Sequence, residues 1–501
     1  MQRFQASRLG DMAALISGLL LTLAFAPFGL FPLAVLAPAL LLALCYTETN
    51  KRAFWRAYLF GLSFFGSGVY WVYISIHTYG SASYLVSCGI TVGFVFLLAL
   101  FPAMAFYFLN RAFPQWNTSK ILCAFPAMWV TFEWIRSWIF TGFPWLLVGY
   151  SQTNSPLKGY APILGVYSVS YAVILTSALC VFAVLHKHNP VFLRRSLIAI
   201  SSIWLIGAGF CFIPWTHADD TPVKVSLVQG NIAQDMKWSP DQIQPTLDTY
   251  LDLTKPHLDS QIIVWPEGAI PISAQTAAEF LDKIGDVVKQ HHGSLITGIP
   301  VRSYDPDGYY NALITRGDGS GDYYKRVLVP FGEYIPMQAM LRNFLARYIT
   351  IPMTDFLSGP RKPTLLHAGN TLISATICFE IAFPELALTK NKDVGLLLTV
   401  SDDAWFDHSI AQAQHLQTAR MRAIEMRRPL LFVSNNGITA IVTPEGKIQA
   451  SIPAYTADVL TAEVQPRTGL TPWQRLPMEP LLFLLGFLLY FTFRNQKKTV
   501  S

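Results

Sequence analysis

Three short segments of the chain place a carboxylate, an amine and a thiol at or near the ends of apolar runs. Glu267 follows a run that stops at Pro266, and Cys378 ends another run. Lys325 precedes Glu333 within a segment rich in aromatic residues. Such groups suffice for acyl transfer, because a carboxylate can take the proton of an attacking thiol while an ammonium stabilises the oxyanion.

Cys378 is the only cysteine between residues 215 and 478, and the other five lie in or beside long apolar runs. Taken alone, a lone cysteine is more often a buried strand residue than a nucleophile. Glu267 and Lys325 could likewise form an ion pair that only stabilises the fold. The context of all three residues favours catalysis, with Cys378 as the nucleophile.

Alternating strand and helix patterns in residues 215–478 predict an α/β domain that would position these residues at strand ends. The predicted strands are Val223–Gln229, Gln261–Glu267, Ser294–Pro300, Asn311–Arg316, Thr371–Glu380, Gly395–Ser401, Leu430–Ser434 and Ile438–Thr443. The predicted helices are Ala277–His291, Met337–Arg347 and Ser409–Arg427. The glycine-rich segment 317–321 reads as a hairpin turn. The sequence has no Walker A, HExxH, CxxC or GxSxG motif, which argues against a nucleotide motor, a zincin, a zinc ribbon and an α/β-hydrolase.

Composition places the rest of the chain in a membrane. The 501 residues are 52% hydrophobic and 14% charged, and their mean hydropathy is +0.36. Residues 215–478 carry 22 basic and 27 acidic residues, whereas the remainder carries 15 basic and 4 acidic ones. The excess positive charge therefore belongs to the apolar parts and does not indicate a nucleic-acid surface.

Eight apolar runs predict eight membrane spans. They cover residues 10–28, 30–46, 55–76, 84–109, 121–140, 161–185, 196–214 and 480–493. The last run is shorter than a typical span. Thirteen of the fifteen basic residues outside 215–478 fall on the side of the termini, which predicts cytoplasmic termini and a domain on the far side. We expect the first span to remain uncleaved.

This arrangement predicts three regions. Residues 1–214 form a transmembrane domain of seven helices, residues 215–478 a periplasmic catalytic domain, and residues 479–501 the last transmembrane helix with a cytoplasmic tail. We expect a multi-pass membrane protein.

The motifs WPEG, YYKRVLVPFGEY and ICFE resemble the Glu-Lys-Cys triad segments of the nitrilase, or carbon–nitrogen hydrolase, superfamily. Eight spans with such a domain before the last one resemble its membrane branch, the apolipoprotein N-acyltransferase family. The segments FEWIR, TGFPW, GYSQ, QGNI, DAWF and SNNG, in this order, extend the resemblance over nearly the whole chain.

The resemblance implies an αββα sandwich with Glu267 as general base, Lys325 as the oxyanion-stabilising cation and Cys378 as the acylated nucleophile. It gives Glu333 a supporting role as second carboxylate and the Phe379 backbone N–H a place in the oxyanion hole. Glu380 is expected to support the site structurally or to cap it. Family members often have Tyr where Phe379 stands and Asn where Asp402 stands, which leaves the role of Asp402 open.

The resemblance also implies a place in the bacterial inner membrane, with the catalytic domain on the periplasmic side. It implies the reaction as well, which is the last step of bacterial lipoprotein maturation. A phospholipid acyl chain would pass through a Cys378 thioester to the amino group of the S-diacylglyceryl cysteine at the N-terminus of an apolipoprotein. We expect a monomer that needs no cofactor. One alternative is a membrane-anchored amidase or nitrilase with water as acceptor. Another is a non-enzymatic lipid transporter or scaffold with an inactive nitrilase domain.

Three further residues are candidates for a lipid entrance, namely Arg136, Trp145 and Trp238. Each has a structural alternative, since Arg136 could pair with Glu133, Trp145 could anchor at the membrane interface, and Trp238 could pack in the domain. His291 and His292 end a predicted helix and have no further histidine at metal-ligand spacing from them, and we predict no metal site.

Overall fold

The structure is a computed structural model. It describes residues 8–80, 82–234, 236–330, 332–334 and 356–498. The chain separates into two compact units, one of Met1–Tyr73, Cys88–Ile213 and Arg475–Ser501 and the other of Ile74–Ser87 and Pro214–Gln474. The predicted helix Met337–Arg347 lies outside the described residues.

The helices follow the apolar runs and the amphipathic segments of the sequence. In chain order they are α1 Arg8–Thr22, α2 Leu33–Cys45, α3 Asn50–Gly68, α4 Trp71–Ile74, α5 Tyr84–Ala112, α6 Phe125–Arg136, α7 Ala161–Leu185, α8 Pro190–Cys211, α9 Pro240–Thr254, α10 Ala278–Gln290, α11 Ala411–Met426, α12 Pro472–Arg475 and α13 Glu479–Lys498. A π-helical turn, Ser75–Tyr79, follows α4.

The first unit is built from helices whose starts and contacts the sequence encodes locally. The Asn189 side chain accepts hydrogen bonds from the first backbone N–H groups of α8, where Pro190 occupies the first position. Gly18 allows α1 to approach α3 closely, because a Cβ atom there would lie 2.2 Å from the Phe60 carbonyl oxygen. Helix packing in this unit therefore depends on small residues as well as on apolar ones.

Length and hydropathy show which of these helices can cross a membrane. In the described part of the chain, three helices meet both conditions, over Tyr84–Ala112, Pro156–Leu185 and Pro190–Cys211. Asn50–Gly68 and Trp71–Tyr79, bent by 51°, would make a fourth span if they are counted together. The other predicted spans also coincide with helices, but these are shorter or less apolar. The eight-span topology stays a prediction.

The strands belong to the second unit. They are β1 His217–Ala218, β2 Val223–Gln229, β3 Ile262–Val264, β4 Ser294–Tyr304, β5 Asp307–Gly317, β6 Gly319–Ser320, β7 Asp322–Tyr324, β8 Leu366–Ala368, β9 Thr371–Ile377, β10 Val394–Ser401, β11 Leu430–Ser434, β12 Thr439–Val442, β13 Ile448–Ile452, β14 Asp458–Val464 and β15 Arg467–Thr468. The predicted strand through Glu380 was wrong at its end, since β9 stops at Ile377 and a 3₁₀ turn begins at Cys378.

Two sheets stack face to face in this unit, as far as the described strands show. One has the order β14-β2-β3-β4-β5-β7 and the other β13-β12-β11-β10-β9-β8-β6. The strands β2, β3 and β4 run parallel, and so do β9, β10 and β11. The strands at the centre of each sheet are buried on both faces, which explains why β10 reads as a continuous apolar run.

Helices cover the outer face of each sheet. One apolar core lies between the sheets, where Val225, Ile262 and Ile296 of the first meet Ile377 and Leu398 of the second. A second core joins the first sheet to α9 and α10, and a third joins the second sheet to α11. The unit therefore has four layers in the order helix, sheet, sheet, helix, which is the αββα sandwich predicted from the resemblance.

Candidate active site

Polar side chains gather where the parallel strands end. Glu267 follows β3, Cys378 follows β9 and Asp402 follows β10. Gly298 on β4 lets the Glu267 loop pack closely, because a Cβ atom at that position would lie 2.7 Å from the Glu267 Cα atom. Carboxyl ends of parallel strands share one edge of a sheet, and this edge is where α/β domains place their sites.

Lys325 lies between two carboxylates. Its Nζ donates hydrogen bonds to Glu333 Oε1 at 2.8 Å and to Glu267 Oε1 at 3.2 Å. The lysine is 1% exposed. Desolvation would lower the pKa of Lys325, but the charges of Glu267 and Glu333 outweigh that effect and raise the pKa well above its ordinary value. Lys325 is therefore a fixed cation at neutral pH.

Asn311 connects the same two carboxylates and was missed in the sequence. Its Nδ2 donates to Glu267 Oε1 at 2.7 Å and to Glu333 Oε1 at 3.0 Å. The pairing of β5 with β7 brings it there, because the Lys325 backbone N–H donates to the Asn311 carbonyl oxygen. Asn311 begins a predicted strand, and its neighbours in the sequence do not indicate that its side chain binds two carboxylates.

Cys378 adopts a left-handed backbone conformation, with a φ of 54°. Such a conformation costs a residue with a side chain about 1–3 kcal/mol and persists where the surroundings enforce it. Burial raises the pKa of the Cys378 thiol, the charge of Glu267 raises it further, and the charge of Lys325 opposes the shift. Cys378 is thus a neutral thiol at rest, and it would need a base in order to act as a nucleophile.

Glu380 fastens the Cys378 turn to the Lys325 segment. Its Oε2 accepts from the Ile377 backbone N–H at 2.9 Å and from the Tyr323 hydroxyl at 2.7 Å. Its Oε1 accepts from the backbone N–H groups of Arg326 and Val327 at 2.6 and 3.1 Å. Burial raises the pKa of Glu380, although these hydrogen bonds favour its charged form. The four hydrogen bonds connect two segments of the site, and the supporting role of Glu380 stays a prediction.

His415 also contacts Cys378 and was missed in the sequence. Its Nε2 lies 3.2 Å from the Cys378 carbonyl oxygen, and its Nδ1 lies 3.0 Å from Asp403 Oδ1. Both His415 and Asp403 are fully buried. The contact to the carbonyl oxygen helps to hold the left-handed backbone at Cys378.

The remaining predicted site residue of this unit is Phe379. Its ring is partly buried and packs against Phe383, with ring centroids 5.1 Å apart. The predicted role of its backbone N–H in the oxyanion hole stays a prediction.

The candidate entrance residues differ in exposure. In the helical unit, Arg136 donates hydrogen bonds to the carbonyl oxygens of Phe143 and Trp145 at 2.8 and 2.6 Å. Arg136 and Glu133, both in the described part of the chain, do not form an ion pair within 4.0 Å. Trp145 is 1% exposed, whereas Trp238 of the other unit is 37% exposed. Their roles at a lipid entrance stay predictions.

The residues that the structure describes include no candidate metal site. Their His, Cys, Asp and Glu side chains nowhere form a group of three or more that could hold an ion. The prediction of a metal-free site is not tested by this observation.

Family models match both parts of the chain. The carbon–nitrogen hydrolase model matches residues 224–472, so the sandwich with its strand-end site is a domain of that class. The model of the apolipoprotein N-acyltransferase N-terminal domain matches residues 17–179.

Full-length relatives define the family more closely. An apolipoprotein N-acyltransferase of Coxiella burnetii is 43% identical, covering 97% of this chain and 100% of that protein. Those of Pseudomonas aeruginosa and Methylococcus capsulatus are 40% and 38% identical over 96% and 98% of this chain, and 94% and 97% of each relative is covered. The chain belongs to the apolipoprotein N-acyltransferase family, which confirms the resemblance drawn from its motifs.

Solved structures resemble the chain more weakly. A nitrilase-superfamily protein of Saccharomyces cerevisiae has a TM-score of 0.36 and 20% identity, with coverage of 49% of this chain and 90% of that one. A similarity of this strength adds nothing to the family assignment.

Proposed function

We propose that this protein transfers an acyl chain from a membrane phospholipid to the α-amino group of the S-diacylglyceryl cysteine that begins an apolipoprotein. The observation that carries the proposal is the buried cation Lys325, which is held between Glu267 and Glu333 and whose charge acts on the Cys378 thiol. Membership of the apolipoprotein N-acyltransferase family supports the same reaction.

In the first half-reaction, Glu267 takes the proton of the Cys378 thiol while the sulfur attacks the ester carbonyl carbon. The tetrahedral oxyanion is stabilised by Lys325 and by the Phe379 backbone N–H. The carbon–oxygen bond to the glycerol then breaks, and the departing oxygen takes the proton back from Glu267. The products are a Cys378 thioester and a lysophospholipid.

In the second half-reaction, the neutral amino group of the acceptor attacks the thioester carbonyl carbon. Glu267 accepts a proton from the attacking nitrogen, and the same donors stabilise the oxyanion. The carbon–sulfur bond breaks, the thiolate recovers the proton, and an amide is released. One nucleophile can thus serve both substrates in turn, which splits a difficult transfer into two easier steps.

Both substrates carry lipid tails, and each buried CH₂ group contributes about 0.8 kcal/mol to membrane binding. Such substrates stay in the bilayer, and the apolar helices of the chain keep the enzyme in the same bilayer. We propose an inner-membrane protein with cytoplasmic termini and residues 215–478 on the periplasmic side, supported by the distribution of basic residues. We also propose that it acts as a monomer.

The reaction can be tested with purified full-length protein in phospholipid vesicles and a synthetic peptide that begins with S-diacylglyceryl cysteine. We expect N-acyl peptide and an equimolar amount of lysophospholipid, both lost in Cys378→Ala. Cys88→Ala is the matched control, because Cys88 is a free cysteine of the helical unit, and this variant should retain activity.

The alternatives give other outcomes in the same assay. Free fatty acid without amide would favour the membrane-anchored hydrolase. Absence of both products in a folded wild-type protein would favour the non-enzymatic transporter or scaffold.

A further inference from the structure

A buried ion pair lies beside the candidate general base. Lys237, in the segment between β2 and α9, is 1% exposed, and Asp402, at the end of β10, is 4% exposed. The distance from Lys237 Nζ to Asp402 Oδ2 is 2.5 Å. Burying two charges costs free energy even when they pair. An ion pair in this position therefore contributes little to the stability of the fold.

Both members of the pair also bind Glu267. Lys237 Nζ donates to the Glu267 carbonyl oxygen at 3.1 Å, which fixes its main chain. The Asp402 backbone N–H donates to Glu267 Oε2 at 2.9 Å, which fixes its side chain. The ion pair therefore connects the two hydrogen bonds that orient the carboxylate.

The two oxygens of Glu267 have different surroundings. Oε1 accepts hydrogen bonds from two side chains, those of Lys325 and Asn311. Among the described residues, Oε2 accepts one hydrogen bond, from the Asp402 backbone N–H. Oε2 thus keeps more capacity to take a proton. A carboxylate held from both sides also presents this oxygen in one orientation, as proton transfer requires.

We propose that Lys237 and Asp402 are positioning residues that orient Glu267 Oε2 as the atom that exchanges the proton. The inference rests on the proposed function, because it assigns a role to the base of that same reaction. Asp402 thereby gains a specific task, which the sequence had left open.

Each residue can be changed on its own. Lys237→Met removes the donor to the Glu267 carbonyl oxygen and leaves the buried Asp402 carboxylate without its cation. Asp402→Asn keeps the backbone N–H that binds Glu267 Oε2, but it leaves the buried Lys237 cation without its anion. Each single variant should therefore misplace the base.

The test measures acylation of Cys378 in the full-length protein as a function of phospholipid concentration. We expect each single variant to slow acylation about tenfold or more at saturating phospholipid and to leave the KM for phospholipid unchanged, because the base is misplaced while the substrate site is intact. The double variant Lys237→Met/Asp402→Asn, which buries no unpaired charge, should recover stability but not the rate, because the donor to the Glu267 carbonyl oxygen is still lost.

Two controls separate the possible failures. Lys237→Arg keeps the charge and a donor, and it should acylate Cys378 faster than Lys237→Met does. If a single variant does not fold, the double variant and Lys237→Arg still test the idea. Wild-type acylation rates in the folded variants, or a loss that appears only as a raised KM, would overturn the inference. An inactive wild type would instead overturn the proposed function.

Discussion

Lys325 lies closer to Glu333 than to Glu267, with Nζ to Oε1 distances of 2.8 and 3.2 Å. Glu333 also accepts a hydrogen bond from the Val329 backbone N–H through its other oxygen. These contacts fit the proposal that Glu333 holds the lysine in place while Glu267 exchanges protons.

Replacement of Lys325 by Met should lower the acylation rate by about 10²–10³ or more, because the oxyanion loses its cation. The change also leaves two buried carboxylates without their partner, which costs about 3–5 kcal/mol of stability. Lys325→Met/Glu333→Gln should recover part of the stability but none of the activity. Lys325→Arg should be slow too, since a planar guanidinium does not replace a point charge. Lysophospholipid release and thermal unfolding measure both effects, and near-normal turnover in a folded Lys325→Met protein would refute the role.

Replacement of Glu380 by Gln should loosen the connection between the Cys378 turn and the Lys325 segment. All four partners of the carboxylate are donors, and an amide offers only one oxygen. The new amide in Glu380→Gln keeps more hydrogen bonds when its oxygen faces the Arg326 and Val327 N–H groups. In that orientation the Ile377 N–H still loses its acceptor, at a cost of about 1–3 kcal/mol.

The expected readouts for Glu380→Gln are a lower melting temperature and a more than tenfold slower acylation at temperatures where the variant is folded. Tyr323→Phe is the matched control, because it removes one donor and leaves the backbone bonds, and it should stay active. Equal activity and melting temperature in Glu380→Gln and wild type would show that the connection does not matter.

The Cys378 thiol should react with iodoacetamide increasingly fast as the pH rises from 7 to 9. Burial and the charge of Glu267 raise the pKa of this thiol, so the thiolate fraction is small at pH 7 and grows with pH. Lys325→Met should react more slowly at every pH, because the thiolate loses the cation that favours it. Peptide mass spectrometry follows Cys378, with the Cys88 peptide as internal control. A rate already at its plateau at pH 7 would contradict this prediction.

The placement of Glu267 and Cys378 after strands could be predicted from the sequence, because the apolar runs before them stop at Pro266 and Cys378. The turn at Cys378 could not be predicted, because the alternation of side chains along a buried strand does not reveal the residue at which the strand ends. Asn311 and Lys237 could not be found either, because sheet register and a loop contact bring them to the site. Helix α9 was missed, and so were the half-exposed strands β13 and β14, whose polar faces weaken the pattern.

The proposed topology can be tested with cysteines placed at Asp307 and Asp318. Both residues are exposed and lie in or beside turns of the sandwich. We expect an impermeant maleimide to label both positions in intact spheroplasts, because thirteen of the fifteen basic residues outside 215–478 are predicted on the cytoplasmic side. Labelling only after lysis would reverse the orientation.

The covalent intermediate on Cys378 is tested most directly by mass spectrometry of the purified protein incubated with phospholipid alone. We predict that the Cys378 peptide gains one acyl mass, labile to neutral hydroxylamine, and that lysophospholipid is released. A peptide that begins with S-diacylglyceryl cysteine should then discharge the adduct and form an amide. Formation of amide by wild-type protein that never carries an adduct on Cys378 would contradict the account.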